Sequence, residues 1–437
     1  MFFLPLLAAS LAVGAMAVVY AQLFVFVEQY GRDLFAHWPY LFLILTPVCF
    51  VISVFVVRIF APYARGSGIP QVMASLELSE KKETEGVSKL LGLRIVAVKI
   101  VSSLILLLGG GALGREGPTV QIAGAIFRGI RSYIPEKWPK PSEGIMILTG
   151  SAAGLAAAFN TPLGGIVFAI EELGKSHFTV FRTTLLSAVI IAGMMAQMIL
   201  GPYLYLGYPA AGTPLLSTVG IAAIVAFIAG ASGGLFSKLV LKIFAWKSAM
   251  RAKWQGVAFI LGVALLLWLS AYFVTPKSFG SGKEVMVSLL FGREQTPGYI
   301  LAPARFLGPI LTFTAGGAAG IFAPSLCSGA SIGAWLGSFF TLAPDQSNIV
   351  ILAGMVAFLT AVTRSPFTSS ILVLEMTDRH SLIFVLMLTG LVSLLAAWLI
   401  DKQSLYERLK EGIAAELAPG DGIEKTGADS SDHIEKA

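Results

Sequence analysis

Apolar runs of bilayer length recur along this chain, and they decide what it can fold into. Phe2–Val27, Pro39–Ala61, Ile95–Gly109, Phe178–Leu200, Leu215–Leu235, Val257–Val274, Ala302–Ala319 and Leu382–Ile400 span or nearly span a hydrocarbon core, for which about 20 apolar residues suffice. Charged residues are 13% of the 437 positions, hydrophobic ones 56%, and mean hydropathy is +0.80. A soluble domain carries about 25% charged residues. This chain has too few to cover a water-facing surface and too much apolar mass to stay disordered. It reads as an all-α polytopic membrane protein in contact with lipid.

Other apolar runs are short and broken by glycine or proline: Ile69–Leu78, Pro118–Phe127, Ile145–Phe159, Pro162–Leu173, Pro324–Phe340, Ile349–Val362 and Pro366–Met376. Half-length helices cannot cross a bilayer alone. They occur where helix ends meet inside a channel or transporter. The net charge of +6 does not point to nucleic acid, because the cations gather in loops. Arg65, Lys81, Lys82, Lys89 and Arg94 fill one, Lys238, Lys242, Lys247, Arg251 and Lys253 another, and Lys402, Arg408 and Lys410 follow the last run. Pro202–Pro214 and Leu342–Ile349 have none. The positive-inside rule puts the first group in the cytoplasm and the latter two loops outside. Met1–Ala17 lacks a basic start and continues as apolar chain to Val27, so it reads as an uncleaved first span. Cys49 and Cys327 lie in apolar surroundings and the four histidines show no ligand spacing, so no metal site and no cofactor is expected.

The chain repeats itself. Gly110–Pro118 (GGALGREGP) and Gly316–Pro324 (GGAAGIFAP) agree at five of nine positions, at an offset of 206. Leu148–Glu172 and Leu352–Met376 agree at seven of 25, at an offset of 204, with Pro162 matching Pro366 and Glu171 matching Glu375. Similar membrane composition alone would not keep proline and glutamate in register. Internal repeats of this kind place the site of a transporter at the repeat interface. The expected division is residues 1–200, residues 201–409 and a polar, disordered tail over 410–437.

Three Gly/Pro-rich turns each open a short helix: GSGIP (Gly66–Pro70), GREGP (Gly114–Pro118) and GIFAP (Gly320–Pro324). Proline suits the first turn of a helix, where its missing N–H costs nothing, and glycine lets backbone N–H groups approach a ligand. Helix N-termini present unpaired donors and partial positive charge, so several of them meeting in a membrane would bind an anion. Partial charge also lets the ion leave, which a lysine would hinder. Glu116 lies inside GREGP. A carboxylate there costs roughly 3 kcal/mol on insertion scales and usually marks function. Ionised, it would compete with a free anion; protonated, it would release the site. The alternative is a dipole cap or a partner for Arg115. Glu171 and Glu172 end an apolar helix, either as a solvated boundary or with one of them as a proton stop, and spacing does not choose between them. Ser67 could face an anion or cap a helix. Lys99 reads as paired or snorkelling. Taken by itself, Tyr406 reads as an interfacial anchor.

GSGIP, GREGP and GIFAP, in this order and spacing, resemble the CLC family of chloride channels and chloride/proton antiporters. The likeness runs from about Phe2 to Leu409 and takes in Ala158–Leu173 and Ser365–Asp378. It implies two inverted-topology repeats of tilted, broken helices, in a homodimer with one pore per subunit. Ser67 and Tyr406 would coordinate the central chloride, with backbone amides of Ile321 and Phe322. Glu116 would be the external gate and proton acceptor, and Glu172 the internal proton-transfer residue. An acid at Glu172 favours proton-coupled antiport over a passive channel. An intramembrane enzyme is the remote alternative. Gln71 departs from the acid that often follows GSGIP and bears on the cytoplasmic mouth. No nucleotide-sensing pair is seen after the membrane part, so the resemblance points to a bacterial or archaeal plasma membrane, with the tail cytoplasmic.

Overall fold

The computed structural model describes residues 3–138, 140–174, 182–201, 204–294 and 296–417. Eighteen α-helices follow one another among them. The first half of the chain holds α1 (Phe3–His37), α2 (Phe42–Phe60), α3 (Ile69–Glu80), α4 (Thr84–Leu90), α5 (Leu93–Leu108), α6 (Glu116–Arg131), α7 (Glu143–Phe159), α8 (Pro162–Phe168) and α9 (Arg182–Leu200). After it come α10 (Leu216–Ser248), α11 (Lys253–Leu269), α12 (Lys283–Leu290), α13 (Gly298–Ala315), α14 (Phe322–Gly337), α15 (Pro344–Thr363), α16 (Pro366–Thr377), α17 (Ile383–Trp398) and α18 (Leu405–Leu417). Among the described residues, seven helical segments are long and apolar enough to cross a membrane. The chain is a multi-pass membrane protein, and its short helices α3, α6, α14 and α16 are mostly buried.

Three boundaries differ from the sequence reading. The first apolar run ends at Val27, yet α1 continues to His37, carrying Glu28, Arg32 and Asp33 beyond the apolar stretch. Ile349–Val362 reads as a short run, yet α15 begins at Pro344 and is almost wholly buried. Polar residues hide its first turn, and tertiary bonds satisfy them: Thr218 donates to Gln346 Oε1 (2.8 Å), and Asn348 donates to the Ala210 carbonyl (2.8 Å). The boundary expected at residue 409 falls inside α18, which runs to Leu417 and packs on α3. The remaining tail, 418–437, lies outside the described residues.

Two central helix pairs, α6 with α7 and α14 with α15, meet through small side chains, Ala123 against Gly154 and Gly329 against Gly354. In lipid, where no hydrophobic force favours one helix partner over a lipid tail, such close approach supplies the van der Waals contact that holds helices together. The repeat matched by sequence has a structural counterpart. Glu171 accepts the N–H groups of Phe367 (3.1 Å) and Thr368 (2.6 Å) at the start of α16. Glu375, its match at offset 204, accepts those of Leu163 (3.1 Å) and Gly164 (2.6 Å) at the start of α8. Each helix of the pair caps the other, satisfying donors that would be costly if left bare in a membrane.

Outside the spans, Glu294 folds the loop between α12 and α13. It accepts from Lys277, from the Ser288 hydroxyl (2.8 Å) and from the Thr296 N–H (2.8 Å). Burial alone would raise its pKa, but these donors outweigh that and hold it at about 2. A depressed carboxylate stabilises the fold above its unfolded pKa, and that contribution fades as pH falls toward the folded value. Glu294→Gln should therefore lower the unfolding midpoint in detergent at pH 7, by roughly 1–3 kcal/mol of stability. The gap to the parent protein should narrow between pH 4 and pH 2.5, as parallel melts at the three pH values would read.

Candidate functional site

The glycine-rich turns are tied to one another by their own backbone. Gly66 donates to the Gly317 carbonyl (2.8 Å) and accepts from Ala319 (3.0 Å); Gly114 donates to Gly320 (2.8 Å) and accepts from it (3.1 Å). The segment Gly317–Gly320 that leads into GIFAP thus clamps both the GSGIP and the GREGP turn, and the starts of α3, α6 and α14 converge. All three helix starts lack a side-chain cap, so their first-turn N–H groups and partial positive charge stay available. Two lysines brace the assembly from behind. Lys99, wholly buried, donates to the carbonyls of Gly66 (2.9 Å) and Arg65 (3.4 Å). It does not snorkel, and among the described residues it pairs with no acid. Lys247 donates to the carbonyls of Thr314 (2.7 Å) and Ala315 (2.6 Å) at the end of α13.

Ser67 and Tyr406 meet here although 339 positions separate them. Their hydroxyl oxygens lie 3.4 Å apart. The cap position of α3 belongs to Gly68 and Ser67 makes no cap bond, so its hydroxyl is left to face Tyr406. Tyr406 is fully buried, which corrects its reading as an interfacial anchor. It lies in the first turn of α18, and the packing of that helix on α3 carries the phenol inward. The Phe322 ring stacks along Tyr406, at 6.3 Å between centroids and 13° between planes. Ile321 is the N-cap residue of α14 and Phe322 its first residue, both buried.

Glu116 is buried in the first turn of α6. The Tyr205 hydroxyl donates to its Oε1 at 3.4 Å, and the N–H groups of Glu116 itself and of Ala323, on α14, aim at the carboxylate. It makes no ion pair with Arg115, whose Nη1 is buried without a hydrogen bond. Two glycines of GREGP are explained by what a Cβ would strike: at Gly114 the Glu116 Oε2, at Gly117 the Ser67 Oγ. One leaves room for the carboxylate, the other for the hydroxyl.

The acidic pair parts company. Ala169–Leu173 forms a π-helical turn, an irregularity that often marks a functional position, and consecutive carboxylates leave it in different directions. Glu171 is the cap of α16 described above, while Glu172 is buried and accepts from the Ser365 hydroxyl. Ser365 is the N-cap residue of α16 but makes no cap bond; its hydroxyl goes to Glu172, which leaves the helix start to Glu171. On the basic face, a cavity of about 630 Å³ runs up to Ser67, lined among others by Arg58, Arg65, Gln71, Lys247 and Arg408. Gln71 puts a neutral side chain on that wall and donates to the Arg65 carbonyl (2.7 Å). Sequence reading passed over Ser365 and Tyr205. Ser365 stands in a Ser-Pro pair, a helix-start signal, whereas nothing in the local sequence distinguishes Tyr205.

Residues 49–398 match the family described as voltage gated chloride channel. The chain is 32% identical over 392 residues to the H(+)/Cl(−) exchange transporter ClcA of Vibrio cholerae serotype O1, covering 85% of this chain and 79% of that one. To the ClcA of Citrobacter koseri it is 33% identical over 390 residues, covering 85% and 78%. A slow cyanobacterial Cl−/H+ antiporter has the same fold, with a TM-score of 0.82 at 23% identity over 94% of this chain and 98% of the other. A eukaryotic CLC transporter superposes with a TM-score of 0.74 at 21% identity, over 94% of this chain and 74% of that one. Sequence and fold agree, and the chain belongs to the voltage-gated chloride channel family.

Proposed function

We propose that this protein is a proton-coupled chloride antiporter that holds chloride between helix starts and gates it with a carboxylate. The observation that carries this reading is the meeting of the uncapped starts of α3, α6 and α14, with two hydroxyls 3.4 Å apart and one buried carboxylate among them. Each helix start contributes from a few tenths to about 2 kcal/mol toward an anion. Together they bind it without a formal cation, and so let it go again. Ser67 and Tyr406 supply O–H donors, and the N–H groups of Ile321 and Phe322 supply the rest. Ionised, Glu116 takes the place of an anion at the paired starts of α6 and α14. Taking up a proton removes its attraction for those N–H groups and frees the place for chloride, so proton uptake and chloride passage alternate.

Glu172 is the internal proton carrier in this reading. It is buried beside a hydroxyl donor, whereas Glu171 is committed to the start of α16. A passive chloride channel would not need the second acid. The cavity, whose lining sets Arg58, Arg65, Lys247 and Arg408 against the single acid Glu416, collects chloride at the inner mouth by its net positive field. By the positive-inside rule that mouth is cytoplasmic, as is the tail that follows α18. We further propose two repeats, 1–200 and 201–409, in a homodimer of independent pores in a bacterial or archaeal inner membrane.

Proteoliposomes loaded with chloride test the coupling. The parent protein should drive protons uphill on a chloride gradient; chloride flux with no proton movement would make it a channel. Glu116→Gln, which mimics the protonated gate, should keep chloride flux and lose proton movement, and retained coupling would remove Glu116 from the gate. Glu172→Gln should uncouple the protein while Glu171→Gln should not. The latter should instead lower the melting midpoint, by about 1 kcal/mol of cap energy. The reverse pattern would exchange the two assignments. Gly117→Ala pushes against the Ser67 hydroxyl and should weaken chloride binding roughly tenfold by calorimetry, the loss of one hydrogen bond to a charged ligand.

A further inference from the structure

Tyr205 lies outside every helix, in the connection between α9 and α10, yet it is buried and held from three sides. Its ring packs edge-on against Phe159 at the end of α7, at 5.1 Å between centroids and 83° between planes. The Lys283 Nζ, at the start of α12, stands 4.5 Å from the ring centroid. The next residue, Leu206, donates its N–H to the Met376 carbonyl of α16 (3.1 Å). Held in this way, the phenol points its hydroxyl at Glu116 Oε1, 3.4 Å away. Among the described residues it is the only side chain that donates a hydrogen bond to Glu116.

We propose that Tyr205 is a positioning residue for the gate: its O–H holds the ionised Glu116 carboxylate in its seat, and Lys283 holds the ring that carries it. The inference rests on the reading of Glu116 as the gate. A phenol O–H bonds more strongly to a carboxylate than to a carboxylic acid, since charge-assisted hydrogen bonds are roughly twice as strong as neutral ones. The contact therefore favours the seated, ionised form and weakens when a proton arrives. A cation over the face of the ring is attracted to it and draws electron density from it, which makes the hydroxyl a better donor. At 3.4 Å the bond is long against the usual 2.5–3.0 Å, so it restrains the carboxylate without locking it. Other charged or titratable groups act on Glu116 through space: Arg115 beside it, Glu28 and Tyr20 on α1, Lys283 on α12, and Tyr406 on α18. Glu28 is itself occupied by the Ser281 N–H (2.5 Å) and hydroxyl (2.9 Å).

The test is the pH profile of chloride exchange in proteoliposomes for Tyr205→Phe, which keeps the ring contacts with Phe159 and Lys283 and removes only the hydroxyl. A carboxylate that loses a donor takes up its proton at higher pH. The half-activation point should therefore move to alkaline pH by about half a unit, a threefold change in proton occupancy at fixed pH. The ratio of chloride to protons should stay as in the parent. In a Glu116→Gln background the same substitution should change nothing. An unshifted profile overturns the proposal, and so does an effect that persists without the carboxylate, because Tyr205 would then act on the chloride path itself. If Tyr205→Phe does not elute as a monodisperse protein, Lys283→Met, which leaves the phenol in place, should give a smaller shift in the same direction; no shift would overturn the proposal there as well. Retained coupling in Glu116→Gln alone would mark a failure of the gate reading and not of the Tyr205 contact.

Discussion

Four backbone hydrogen bonds between glycine-rich turns, Gly66 with Gly317 and Ala319 and Gly114 with Gly320 in both directions, hold the centre of this protein together. A membrane interior offers no water to stray N–H and C=O groups, so broken helices survive there only where protein satisfies them. These bonds satisfy the turns and leave the first-turn N–H groups of α3, α6 and α14 without side-chain caps, those of Glu116 and Ala323 facing the Glu116 carboxylate. The partial positive charge of three helix starts is then concentrated in one place, where two hydroxyls and one carboxylate meet it.

The cations respect the same division. Lys99 and Lys247 are spent on carbonyls behind the turns. Arg364 donates to the carbonyls of Ala397 (3.0 Å), in the last turn of α17, and Asp401 (2.7 Å), just beyond it. Positive side chains sit at backbone carbonyls and helix ends, where the local dipole is negative. Arg115, the N-cap residue of α6 beside Glu116, is the exception. A chain with little formal charge in its apolar stretches can thus still handle an anion, because helix starts supply partial charge where few formal cations stand.

Carboxylates of the same type take different roles according to what donates to them. Glu171 and Glu375 accept paired N–H groups and become structural caps. Glu172 accepts from the Ser365 hydroxyl, and Glu116 meets a long phenol contact and the amides of two helix starts. Paired N–H groups at the start of a neighbouring helix immobilise Glu171 and Glu375. Glu171 and Glu172 are neighbours in the chain, and a π-helical turn separates their fates.

The membrane-spanning character, the all-helical class, the repeat and the three helix starts were legible in the sequence, because each rests on a local property. Run length sets bilayer spanning, Gly-x-Pro punctuation sets helix starts, and register between copies reveals duplication. Glu116 was legible for the same reason, as a charge where charge is costly. What lay beyond local reading depended on distant partners. The start of α15 was hidden by polar residues that Thr218 and Ala210 satisfy. The inward turn of Tyr406 depended on the packing of α18 against α3. The different partners of Glu171 and Glu172 depended on the π turn and Ser365, and the place of Tyr205 against Glu116 on Phe159, Lys283 and Met376 closing around it. Sequence determined which segments enter the membrane and where helices begin. Tertiary structure alone decided which polar atoms face one another, since in a low-dielectric interior the meaning of a charge or hydroxyl is set by the donor or acceptor that packing brings within reach.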